Sequence, residues 1–104
     1  MAESKLNSQG NVLEKTRHKV TKPPMYKVIM LNDDYTTMEF VIEVFEVIFH
    51  LPAPVATAIM LEIHKSGKGI AGVYSKAIAE TKIAQVGAAA YRSGFPLQCK
   101  MEQA

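Results

Sequence analysis

Asn32, Asp33 and Asp34 set an amide and two carboxylates side by side. They stand where the apolar run Tyr26-Lys27-Val28-Ile29-Met30-Leu31 gives way to Tyr35-Thr36-Thr37-Met38-Glu39-Phe40. Asn and Asp are ordinary turn formers, because their short side chains bond nearby backbone. A turn does not need two adjacent carboxylates, however, and two of them repel. A cationic partner relieves that repulsion. A free peptide α-amino group is such a partner, a charged nitrogen with three N–H donors and an intrinsic pKa of about 7.7–8. Amide oxygen, carboxylate and neutral imidazole are its natural acceptors. An imidazole is supplied by Met60-Leu61-Glu62-Ile63-His64, where Met60 and His64 lie four apart and share a helix face. A lone helical histidine is more often surface or satisfied core. Beside a thioether on the same face it can also form a pocket wall, the less frequent case. The two segments together point to a pocket with a polar rim and an apolar floor.

The elements around these residues follow from local pattern. Tyr26–Leu31 is rich in β-branched and apolar residues and is followed by turn formers, which predicts a strand. Thr36 with Glu39 three residues later matches a capping box, so a helix should begin near Met38. Met38, Val41, Ile42, Phe45, Ile48 and Phe49 recur as one apolar stripe. His50-Leu51-Pro52-Ala53-Pro54 ends that helix, and Pro54 suits the first turn of a second one running to Ser66 and stopped by Gly67. Gly69–Tyr74 reads as a short second strand, and Ser75 as the N-cap of a third helix with inner stripe Ala79, Ile83, Val86 and Ala90. Gly94 and Pro96 stop this helix, and Leu97–Glu102 alternates as a half-buried strand should. The order β-α-α-β-α-β predicts a small three-stranded sheet with helices packed on it.

Composition narrows the class. At 104 residues and 48% hydrophobic, the chain suits one compact domain. The net charge of +2 divides unevenly. Residues 1–24 carry five basic side chains against two acidic, and the remainder carries seven against eight. The folded part thus lacks the cationic excess that draws nucleic acid. Residues 1–22 have few apolar positions and no periodicity, and read as a mobile tail before a core domain at 23–104. No apolar run approaches the ~18–20 residues of a membrane span, and the N-terminal segment has no signal-peptide character. Cys99 is the single cysteine, so the expected compartment is a reducing cytoplasm.

Other chemistries find less support. Asp33, Asp34 and His64, with His50, contain metal-ligand types but no HxxxH, HxH or CxxC pair. No metal or other cofactor is expected. Cys99 falls on the inward register of a strand, where a thiol is usually inert. No Gly-x-Ser-x-Gly turn is present, and Gly67-Lys68-Gly69 is too short for a phosphate loop. An enzyme is not expected. A scaffold domain using the Ala-rich third helix, a metal-binding protein and, more remotely, a hydrolase remain as competing classes.

Several runs together closely resemble the ClpS family, adaptors of the bacterial Clp protease system. They are Pro23-Pro24-Met25-Tyr26-Lys27-Val28-Ile29, Asn32-Asp33-Asp34-Tyr35-Thr36, Met38-Glu39-Phe40-Val41, Met60-Leu61 with His64, Gly67-Lys68-Gly69, Ala79-Glu80-Thr81-Lys82 and Pro96-Leu97. The resemblance covers residues 23–104. It implies an α+β fold with a three-stranded antiparallel sheet and three helices. It also implies a non-enzymatic role, binding proteins that begin with Leu, Phe, Tyr or Trp and delivering them to the ClpA unfoldase for degradation by ClpP. By position, Asn32, Asp33, Asp34 and His64 would surround the α-amino group, with the closer aspartate left open. Met30, Thr36, Met38, Val41, Met60, Ile63 and Leu97 would line the side-chain pocket, Met38 acting as a gate against β-branched residues. Glu80 and Lys82 would face the unfoldase. Two positions depart from the family pattern: Ala77 where an acidic residue is frequent, and Met30 where a branched aliphatic is. A monomer is expected, and the resemblance further implies that the tail at 1–22 takes part in substrate hand-over.

Overall fold

The computed structural model describes residues 22–104, and the expectations for the preceding tail lie outside the described residues. The order is β1 (Met25–Leu31), α1 (Met38–Val47), α2 (Ala53–Ser66), β2 (Lys68–Ser75), α3 (Lys76–Ser93) and β3 (Gln98–Gln103). This is the α+β arrangement expected. The strand β1 is central, with β2 and β3 antiparallel on either side. A central strand with helices on one face must bury apolar residues, and Val28 and Met30 are fully buried. Opposite the Val28–Ile29 step the register shifts, and Ala71 is left without a ladder partner. The ladder then resumes at Ile70, a bulge of the kind that locally bends and twists a strand.

One expectation about α1 fails at each level. The N-cap is Thr37, whose hydroxyl accepts from Phe40 N–H at 3.2 Å, and not Thr36. Thr36 is drawn instead into the preceding turn by Asp33, which offers it a charged acceptor. The buried face is also rotated from the expected stripe. It holds Phe40, Val41, Val44 and Phe45, whereas Met38 is 46% exposed. Apolar side chains occupy most of this helix's circumference, so periodicity alone does not choose which of them face the sheet.

The remaining elements keep close to expectation. Pro54 lies in the first turn of α2, and Gly67 ends that helix at φ 92° with its N–H on Ile63 O at 2.8 Å. Ser75 occupies the N-cap of α3 without a side-chain bond, and Ala79, Val86 and Ala90 form its buried stripe. Gly69 is required by a close approach: a Cβ there would lie 2.8 Å from the Ile63 side chain and 3.1 Å from that of Ile59. That approach draws α2 tightly onto β2. The C-terminal turn of α1 has no basic residue of its own. Lys82 of α3 reaches across and donates to Ile48 O at 2.5 Å, with the Phe49 and Tyr74 rings 5.9 and 5.8 Å away. A cation there complements the negative end of the helix.

Candidate functional site

The C-terminal end of β1 and the C-terminal end of α2 are tied by one backbone bond, Asn32 N–H to Gly67 O at 2.9 Å. Ser66 reinforces this corner, its hydroxyl lying within hydrogen-bond distance of Glu62 O and Lys68 O. The tie brings Asn32 and His64 to one cavity of about 440 Å³ between the β1–α1 turn, the start of α1 and the last turns of α2. Asn32, Asp33, Asp34, Thr36 and His64 form its polar side. Met38, Val41, Met60 and Ile63 form its apolar side. Nine of the sequence-derived positions thus meet in one place.

Two do not reach it. Met30 and Leu97 lie in the hydrophobic core together with Val41, Met60 and Ile63, and are absent from the cavity wall. Two further residues, Thr37 and Glu39, line the cavity without having been anticipated. The signal for both was available: each flanks Met38 at the helix entry, where side chains on the first turn face the turn that precedes it.

The two aspartates are not equivalent. Asp33 Oδ1 accepts from Tyr35 N–H at 2.8 Å and Thr36 N–H at 2.7 Å, and Oδ2 accepts from the Thr36 hydroxyl at 2.7 Å. Partial burial pushes the Asp33 carboxyl upward. The bonds from the Thr36 backbone, the Thr36 hydroxyl and Tyr35 outweigh it and hold the group below its ordinary value. Asp33 is therefore an ionised, fully engaged turn builder. Asp34 is exposed beside it and lines the same cavity.

A larger cavity, about 470 Å³, lies between α1 and α3. His50 lines this groove and not the Asp33–His64 cavity. The metal set of Asp33, Asp34, His64 and His50 is thereby divided, and among the described residues no cluster of three or more His, Cys, Asp or Glu side chains is placed to hold an ion. Burial pushes the Cys99 thiol up to about 11, which leaves it protonated and unreactive at neutral pH. Among the described residues no helix is long and apolar enough to cross a membrane. Of the positions assigned to a partner surface, Glu80 is exposed on α3, while Lys82 is partly buried by its bond to Ile48 O.

Comparison with known proteins agrees in sequence and in structure. Residues 21–100 match the family described as ATP-dependent Clp protease adaptor protein ClpS. The ATP-dependent Clp protease adapter protein ClpS of Desulfatibacillum aliphaticivorans is 50% identical over 93 residues, 89% of each chain. That of Caulobacter vibrioides strain NA1000 / CB15N is 48% identical over 108 aligned positions, 99% of each chain. The structure of Agrobacterium tumefaciens ClpS2 bound to L-phenylalaninamide superposes with a TM-score of 0.77 at 35% identity, covering 80% of this chain and 100% of that one. The chain belongs to the ClpS family of Clp protease adaptors.

Proposed function

We propose that the Asn32–His64 cavity holds the first residue of proteins that begin with Leu, Phe, Tyr or Trp. The adaptor then presents these proteins to the ClpA unfoldase for degradation by ClpP. The reading rests on one observation: acceptors suited to an ammonium group and an apolar wall suited to a large side chain meet in a single cavity. The ligand of the related Agrobacterium structure, L-phenylalaninamide, combines those two features, an unblocked α-amino group and a benzyl side chain.

Asn32 Oδ1, Asp34 and the neutral imidazole of His64 receive the ammonium N–H groups. Asp33 contributes its negative charge and the turn that aims its neighbours. Thr36 locks that turn, and Met38, Val41, Met60 and Ile63 enclose the side chain, with Met30 and Leu97 supporting the wall from beneath. Burying a large apolar side chain is worth about 1.5–3 kcal/mol. Each charge-assisted bond to the amine is worth about 1.5–3 kcal/mol before the costs of association, which are several kcal/mol. Neither half suffices alone. An acetylated N-terminus loses the charge, and an N-terminal Ala leaves the cavity empty.

The opposite surface, with Glu80 and Lys82 on α3, faces the unfoldase. Lys82 serves it through its hold on the end of α1. Ala77 removes a carboxylate from that surface relative to the family pattern. Residues 1–22 form the hand-over tail and 23–104 the recognition domain of a monomeric cytoplasmic protein that requires neither nucleic acid nor membrane.

The test is titration with peptides differing only at residue one, each with and without N-terminal acetylation. Leu-, Phe-, Tyr- and Trp-first peptides bind, and Ala-first and acetylated ones do not. Equal affinity for free and acetylated Phe-first peptides removes the ammonium site from the reading.

A further inference from the structure

We infer that Met38 is an oxidation site through which hydroperoxides weaken the grip of the cavity, an inference that rests on the reading of the cavity given above. Two of the four apolar wall residues are thioethers, and they differ in access. Met38 opens α1 at the cavity mouth and is 46% exposed, whereas Met60 is 7% exposed. Val41 and Ile63 carry no readily oxidised atom. The Cys99 thiol does not compete, since burial holds it protonated at neutral pH. Met30 is fully buried. Met25 is 44% exposed at the start of β1, away from the cavity, and serves as an internal control.

The chemistry is a two-electron oxygen transfer. The thioether sulfur of Met38 attacks an oxygen of the hydroperoxide, an S–O bond forms and the O–O bond breaks. A proton passes to the departing oxygen, which leaves as water from hydrogen peroxide or as an alcohol from an alkyl hydroperoxide. Sulfur is oxidised and the peroxide reduced. The product is a polar, chiral sulfoxide in place of a flexible apolar group. Its oxygen is an acceptor, and the carboxylates of Asp33, Asp34 and Glu39 around the same cavity are acceptors too. A large apolar side chain pressed on that oxygen strips its water, a cost that the unoxidised thioether does not carry.

The experiment uses the full chain treated with hydrogen peroxide at neutral pH. Peptide mapping by mass follows addition of one oxygen at each methionine, and anisotropy follows the affinity for a Phe-first peptide. Met38 and Met25 are expected to gain oxygen well before Met30 and Met60. Affinity is expected to fall at least about fivefold in the wild type and in Met25→Leu, and to stay at its own untreated value in Met38→Leu. Methionine sulfoxide reductases acting on both epimers restore the wild-type value. Survival of Met38 while Met25 is oxidised overturns the inference, as does an equal loss in Met38→Leu. A chain that binds no Phe-first peptide before treatment overturns the reading of the cavity itself, a result separate from the order of oxidation read by mass.

Discussion

Two hollows of similar size flank α1, and they differ in what converges on them. The groove between α1 and α3 is about 470 Å³ and the cavity between α1 and α2 about 440 Å³. Around the groove, Glu43 and Arg92 bring charges of opposite sign, and Lys82 is already bonded to Ile48 O. The cavity is lined by an amide, two carboxylates and an imidazole from two segments that a backbone bond ties together, the Asp33 carboxylate being engaged in its own turn. On the proposed reading, the binding site is marked by convergent acceptors over an apolar wall and not by volume.

The contrast is broken most severely at the acceptors. Asn32→Ala and His64→Ala should each weaken a Phe-first peptide by about ten- to hundredfold, with urea unfolding near that of the wild type. Calorimetric titration checks this, and a change under twofold in either variant refutes the role of that side chain. A second break works through the wall. Gly69→Ala forces a methyl onto Ile63 and should destabilise the fold by about 1–3 kcal/mol, lowering peptide affinity as α2 shifts. Thermal melts and the same titration read both effects.

Smaller effects sharpen the comparison. Lys82→Met removes the cation from the α1 C-terminus and should cost about 1 kcal/mol of stability while leaving peptide affinity unchanged. Acidification acts through Asp33. Its folded-state pKa lies below the unfolded value, so its contribution to stability is present above about pH 4 and lost as pH falls through the folded value. Asp33→Asn should therefore be the less stable protein by under about 1 kcal/mol at pH 7, and equal to the wild type near pH 2, by urea unfolding at both. Smallest of all, Arg92→Ala in the opposite groove should not alter affinity for a Phe-first peptide.

Much of the fold was legible because its signals are local. A β-branched run makes β1, a proline sits in the first turn of α2, and Gly67 and Gly94 take positive φ where their helices end. Thr36 was misread because a capping box and a carboxylate turn compete for the same hydroxyl, and three bonds to Asp33 outweigh one to the helix. Met30 and Leu97 were expected at the cavity, yet the first is sealed beneath the helices and the second packs just before β3. Burial by a facing layer is invisible to a pattern that records only polarity along the chain.

The sequence by itself determined the order of elements, the residue types of the polar cluster and the helix that carries His64, since each depends on neighbours within a few positions. Tertiary structure alone decided that Asn32 and His64 share a cavity, and which flank of α1 is buried. Those outcomes depend on a single bond between chain segments and on the close seat of α2 over Gly69. Such long-range geometry exists only once the layers have packed.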